Sequence, residues 1–252
     1  MLLSVNRVSV FGKESWETAF ARIRACGYDA YETWQLGDKE MDTVPALARA
    51  AGVRMTACCP NEFGLNDLAR HDRYERELAA AIVRVKALGG SFLITQAGED
   101  DGRPVTQQMA DTLTGLRRMA PLLEAAQVTL LLEPLNTVRD HPTAWLNSAD
   151  VGCALVAEAD SPQVRLLYDV YHMLHMGEDV YAQIEKHMPL IAYLHLAGFP
   201  ARDQNLFEGF DYPALLRALT ALGFDGVAGL EFFPDSPQEA ERTLLRMREA
   251  VA

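Results

Sequence analysis

Eight times along this chain a short apolar or alternating run gives way to a longer stretch with helical spacing, and that alternation constrains the fold more than any single motif. The runs are LSVNRVSVF (3–11), YDAYETW (28–34), VRMTACC (53–59), SFLITQA (91–97), VTLLLE (128–133), VRLLYD (164–169), LIAYLHLA (190–197) and GVAGLEFF (226–233). Trp16, Phe20 and Ile23 share one face of the first helical stretch, which Gly27 stops. Leu78, Ile82, Val85 and Leu88 line the third, ending at Gly89 and Gly90, and Met109, Leu113, Leu116 and Leu123 serve the fourth. Ala240, Leu244, Met247 and Val251 form the apolar face of the last.

A βα unit takes about 30 residues, so eight of them use up a chain of 252 residues and leave no second domain. The pattern predicts an α/β chain forming a single (β/α)8 TIM barrel over 1–252. An open doubly wound sheet would use the same elements, but no GxGxxG turn follows the first strand to suggest its nucleotide-binding version. Two polar loops, PNEFGLND (60–67) after the third strand and FPARDQNLFEGFD (199–211) after the seventh, stand where substrate-covering loops of a barrel belong.

Hydrophobic residues at 49% and charged residues at 23% are a globular protein's proportions. Lys and Arg number 23 against 35 Asp and Glu, a net charge of -12, which repels polyphosphate and anionic lipid and disfavours nucleic acid or a membrane as partner. Cys26, Cys58, Cys59 and Cys153 form no CxxC pair, so a reducing compartment is expected, the cytoplasm by default. The start MLLSVNRVSVFGKES lacks the basic region, apolar stretch and cleavage site of a leader, and no apolar run approaches the roughly 18 residues of a membrane span.

A barrel builds its active site at the carboxyl ends of its strands. Here those ends carry Glu32, Gln96, Glu133, Asp169, His195 and Glu231. The successive intervals, Glu133 to Asp169, Asp169 to His195 and His195 to Glu231, are each close to one βα repeat, so the four side chains should converge. Three carboxylates in one mouth repel one another unless a cation neutralises them, and oxygen ligands with one imidazole suit Mg²⁺ or Mn²⁺, less exclusively Co²⁺ or Zn²⁺. Singly, each is more often a solvated rim residue or a partner for a nearby Arg; together they point to a divalent metal site.

His172, three residues past Asp169 and over the mouth, is favoured for substrate over capping a turn, whereas His175, among Met173, Leu174 and Met176, is assigned to structure. Arg202 in the seventh loop is either a carboxylate clamp or a surface charge. Cys58 and Cys59 alternate faces and are taken as strand residues rather than a thiol ligand pair. Glu32 and Gln96 complete the candidate substrate contacts.

The segments LEPLNTVRDHP (132–142), YDVYHMLHMGED (168–179) and GLEFFP (229–234) resemble the xylose isomerase-like TIM barrels, and within them the hydroxypyruvate isomerase group of sugar isomerases and epimerases. The resemblance spans nearly the whole chain, from GYDAYETW to ALGFDGVAGLEFFP. It implies that Glu133, Asp169, His195 and Glu231 hold the metal, that His172 and Arg202 contact substrate, and that a homodimer forms. The seventh loop keeps Pro200, Arg202 and Tyr212 but not the group's glycine-rich centre, and His195 stands where many of its members carry Gln. The activity implied is a metal-dependent isomerisation of a small α-hydroxy carbonyl compound through a cis-enediolate, with Glu133 and Glu231 as acid and base. Hydroxypyruvate to tartronate semialdehyde, or a related oxo-acid reaction, is the leading expectation. A ketose 3-epimerase is the alternative, followed by an abasic-site endonuclease or a non-catalytic sugar-acid binder.

Overall fold

The computed structural model describes residues 1–251 and contains one sheet of nine parallel strands. They are β1 (Leu2–Asn6), β2 (Ala30–Glu32), β3 (Arg54–Met55), β4 (Ala57–Cys58), β5 (Phe92–Gln96), β6 (Thr129–Glu133), β7 (Val164–Asp169), β8 (Ile191–Leu196) and β9 (Val227–Leu230). Their order is β3-β2-β1-β9-β8-β7-β6-β5-β4. The two ends of that order, β3 and β4, are one stretch of chain interrupted only at Thr56, so β3 pairs with β2 while β4 pairs with β5 and the sheet curls into a (β/α)8 TIM barrel. Thr56 spans the break by donating its backbone N–H to Tyr31 O at 2.7 Å.

The first expected strand, 3–11, is shorter than its alternation suggested. The Asn6 side-chain oxygen accepts from Val8 N and Ser9 N at 3.1 and 3.0 Å, and Arg7–Phe11 turns into a short helix. VSVF has strand-forming residues in alternation, but an N-cap that satisfies two orphan donors, with Val10 and Phe11 buried, overrides that weak preference. The last expected strand, 226–233, also ends early, and Glu231 follows β9 as the first residue of the loop.

The helices bury the faces that their spacing marks. Phe20 and Ile23 of Trp16–Ala25, Leu78 and Val85 of His71–Ala87, and Ala240, Leu244 and Met247 of Pro237–Val251 are all fully enclosed against the outside of the barrel. Gly27 ends the first of these at φ 83°, a left-handed conformation that other residues adopt at a cost. A smaller apolar layer fills the barrel interior with Ala57, Ile94, Leu131, Leu167, Tyr193 and Val227. Because Leu131 faces inward, Glu133 two residues on reaches the same axis one layer higher, at the carboxyl end. Register does the same across strands, pairing Gln96 with Glu133, Asp169 with His195 and Asn6 with Glu32. No helix among the described residues is long and apolar enough to cross a membrane.

Candidate active site

Glu133, Asp169, His195 and Glu231 come together above the inner apolar layer, all buried, with their ligand atoms within 4.8 Å of one another. His195 Nδ1 lies 3.4 Å from Glu133 Oε1, 3.3 Å from Glu231 Oε2 and 4.0 Å from Asp169 Oδ2. That nitrogen is fully enclosed and has no hydrogen-bond partner. An orphaned ring nitrogen facing three carboxylates is a donor set that fits a divalent cation, and the quartet can hold a metal ion. The protonation of the protein groups reflects the same crowding. Burial pushes the Asp169 carboxyl up to about 6 against the pull of Arg202 and His195. For His195 burial opposes the charge, but the facing Glu32 and Glu231 carboxylates overcome it and carry the imidazole well above 6.5.

One wall of the pocket is built around Glu231. Its Oε1 accepts from Asn6 Nδ2 at 3.1 Å and Trp34 Nε1 at 2.7 Å, and its Oε2 from Arg202 Nη2 at 2.9 Å. Burial works against this carboxylate, yet His195, Arg202 and the Trp34 N–H hold it well below the usual carboxylate range. The Arg202 guanidinium lies over the rings of Tyr171 and Phe233 at 5.4 and 5.7 Å, and its Nε is enclosed without a partner. Its backbone has φ 62° and is pinned on both sides, Arg202 N donating to Gly198 O and Phe233 N donating to Arg202 O.

The other wall carries Glu133 and His172. Among the described residues no hydrogen bond is made to the Glu133 side chain, whose Oε1 lies 3.4 Å from His195 Nδ1. His172 begins no strand; Asp169 caps the helix Val170–His175 by accepting from His172 N at 2.9 Å, which swings the ring over the quartet. Its Nε2 lies 3.5 Å from Asp169 Oδ2 and has no hydrogen-bond partner, while Nδ1 lies 2.6 Å from Asn136 Nδ2. Burial drives the His172 imidazole down to about 3, with Arg202 adding to the shift, so the ring is neutral at ordinary pH. His175 points elsewhere, its Nε2 meeting Pro200 O at 3.2 Å.

A cavity of about 280 Å³ lies above the quartet, walled by Trp34, Gln96, Glu133, His172, His195, Arg202 and Glu231, with Cys59 also on its lining. Cys58 packs instead with the layer between barrel and helices, as alternation required. Gln96 and Arg202 therefore face the same space as the quartet, and the 199–211 loop does contribute to the mouth. Glu32, expected there as a substrate contact, does not line this cavity. It is fully enclosed behind His195, with Oε1 2.9 Å from His195 Nε2 in a direction poor for a straight hydrogen bond, and it accepts from Asn6 Nδ2 at 3.2 Å and from the Tyr193 hydroxyl. The physical reason is the His195 ring, which stands between Glu32 and the cavity with Nε2 toward Glu32 and Nδ1 toward Glu133 and Glu231. A larger cleft of about 730 Å³ opens beside the pocket under the 60–67 loop and shares Phe63, Gln96, Leu135 and His141 with it.

Three participants escaped the sequence reading: Asn6, Trp34 and Asn136. Asn6 had a readable signal as a helix cap. Trp34 and Asn136 had none, because what makes them part of the site is a partner more than thirty residues away.

A parallel eight-unit barrel with an imidazole and three carboxylates at the carboxyl ends of its strands defines a class, the TIM barrels whose mouth can bind a metal ion. The particular family follows from comparison: residues 20–250 match the xylose isomerase-like TIM barrel family, and the chain belongs to it. It is 28% identical over 231 residues to a putative hydroxypyruvate isomerase of Homo sapiens, covering 85% of this chain and 83% of that one. An L-ribulose 3-epimerase of Mesorhizobium japonicum is 27% identical over 227 residues, 86% of this chain and 75% of the relative. Among solved structures, an AP endonuclease of family 2 from Brucella melitensis superposes with a TM-score of 0.90 at 21% identity, over 98% of both chains, a likeness of fold.

Proposed function

We propose that the protein is a metal-dependent isomerase of a small α-hydroxy carbonyl compound, with hydroxypyruvate or a related oxo-acid as substrate and tartronate semialdehyde as the product from hydroxypyruvate. The observation that carries this reading is the pair of glutamates flanking one ring nitrogen, Glu133 Oε1 at 3.4 Å and Glu231 Oε2 at 3.3 Å from His195 Nδ1, delivered by the end of β6 and by the residue that follows β9. Glu133, Asp169, His195 and Glu231 would hold the ion, Mg²⁺ or Mn²⁺ by their oxygen-rich chemistry. When bound, such a cation supplies Lewis-acid polarisation of the carbonyl, which acidifies the neighbouring C–H.

One of the two glutamates takes the carbon-bound proton, and the electron pair of that bond moves to form the enediolate double bond. His172 faces the substrate oxygen where negative charge develops, and Arg202, through its free Nε, meets the carboxylate of an oxo-acid. Gln96 borders the remaining substrate atoms. Return of the proton to the adjacent carbon, with the hydroxyl proton passing to the other enediolate oxygen, gives isomerisation, and delivery by the second glutamate to the opposite face of the same carbon gives epimerisation. A ketose 3-epimerase is thus the second reading, favoured by the large cleft beside the pocket, which has room for a longer polyhydroxyl chain. A net charge of -12 weighs against abasic DNA as substrate.

The test is solvent-deuterium incorporation into hydroxypyruvate, 2-oxo-tetronates and free ketoses, together with metal analysis of protein purified without chelator. We expect about one divalent ion per chain. Glu133→Gln and Glu231→Gln should each slow exchange by roughly 10²- to 10⁴-fold while the fold persists. Exchange at the native rate in either variant, or full activity in metal-stripped protein, overturns the mechanism.

A further inference from the structure

We infer that Asn136 is a positioning residue that fixes the ring tautomer of His172, so that an Nε2–H donor faces the substrate. The inference rests on the reading of His172 as the group that meets the substrate oxygen. It begins with the Asn136 side chain, which is fully enclosed and uses all four of its hydrogen-bonding capacities. Its Oδ1 accepts from Arg139 N and Asp140 N, each at 3.0 Å. Its Nδ2 donates one hydrogen to Asp140 Oδ2 at 2.8 Å, leaving the other for His172 Nδ1 at 2.6 Å.

Those contacts decide which way the amide points. Turned over, it would set an NH₂ group against two backbone N–H donors and its oxygen against the Asp140 carboxylate, losing three bonds at once. With Nδ2 facing it, His172 Nδ1 must be the acceptor, and a neutral imidazole that accepts at Nδ1 carries its proton on Nε2. A second contact agrees independently. Nε2 lies 3.5 Å from Asp169 Oδ2, where a bare lone pair would face a carboxylate and an N–H is favoured. The ring plane is held as well, by Tyr171 and His141 at 5.4 and 5.3 Å between centroids. A neutral N–H donor, already aimed, stabilises a developing oxyanion without having to reorganise.

Two measurements test this. The first needs no mutant: ¹⁵N NMR of the histidine rings in Mg²⁺-loaded protein should show the His172 proton on Nε2. A proton on Nδ1, or on both nitrogens, overturns the inference. The second exchanges two neighbours, Asn136→Asp with Asp140→Asn. The introduced carboxylate keeps an oxygen for the two backbone N–H groups, the introduced amide restores the bond between the two side chains, and His172 Nδ1 now meets an acceptor. The expected result is movement of the ring proton to Nδ1 and a fall in kcat of roughly 10²- to 10³-fold, with Mg²⁺ affinity by calorimetry and thermal stability close to wild type. Native kcat with a displaced proton overturns the proposed donor role. If no substrate of the panel exchanges deuterium even with wild-type protein, the isomerase reading fails, while the ring spectrum still decides what Asn136 does.

Discussion

The two walls of the pocket carry the same residue type and treat it in opposite ways. Glu231 is gripped by Asn6, Trp34 and Arg202, three donors on two oxygens, and is held ionised. Glu133 receives no such grip, and its neighbour His172 is kept neutral by burial, with Arg202 adding to the shift, and meets Asn136 Nδ2 at Nδ1. One wall is set by charge and the other by neutral hydrogen bonding. The difference teaches that two glutamates equivalent in spacing need not be equivalent in chemistry: Glu231 is oriented by three donors of the fold, whereas Glu133 carries no such restraint.

The sharpest way to break this contrast is to remove each charge in turn and compare stability as well as turnover. In chelated protein, Glu231→Gln should lower Tm by roughly 4–8 °C, because an amide cannot accept from three donors and about 2 kcal/mol of charge-assisted bonding is lost. Glu133→Gln should leave Tm unchanged or raise it, since it removes a carboxylate from a crowd of carboxylates. Equal shifts in the two variants would erase the distinction. A smaller effect is expected from Arg202→Met, which should raise KM for a carboxylate-bearing substrate by roughly 100-fold and for an uncharged ketose much less. Equal losses for both substrates would confine Arg202 to holding Glu231.

The neutral wall makes its own prediction in acid. His172 has its folded pKa brought down to about 3 from 6.5, so the unfolded chain takes up the proton first. Stability from this group is complete above pH 6.5 and is lost as pH falls from there toward 3, about 2 kcal/mol of it between pH 7 and pH 5. Chelated His172→Gln protein, followed by chemical denaturation at the two pH values, should lack that increment relative to wild type. An identical pH dependence would place the acid sensitivity elsewhere.

The barrel was legible because eight βα units impose one period on the whole chain, and local errors cannot disguise it. The meeting of Glu133, Asp169, His195 and Glu231 was legible for the same reason: residues one repeat apart at strand ends must meet. His172 and His175 could be separated by distance from Asp169 and by the apolar neighbours of His175, and their rings meet different partners. Other features lay beyond spacing. Where β1 stops depends on a cap competing with strand pairing, and VSVF reads well either way. The His195 ring that screens Glu32 from the cavity, and hydrogen-bond polarity at Asn6, Trp34 and Asn136, are decided by partners that only the folded chain brings near.

The buried polar stack beneath the quartet has a consequence for anyone redesigning this barrel. Ser4, Thr56 and Tyr193 are joined through their hydroxyls, Tyr193 donates to Glu32, and Gly229 leaves Glu32 its room, since a methyl there would come within 2.6 Å of the carboxylate. A slip of β2 by one position would turn Glu32 outward and Tyr31 inward. The same slip would strand the polar partners without a carboxylate. The stack therefore doubles as a proofreading device for strand register, and a variant that folds with a displaced His195 ring should be checked first for misaligned strands.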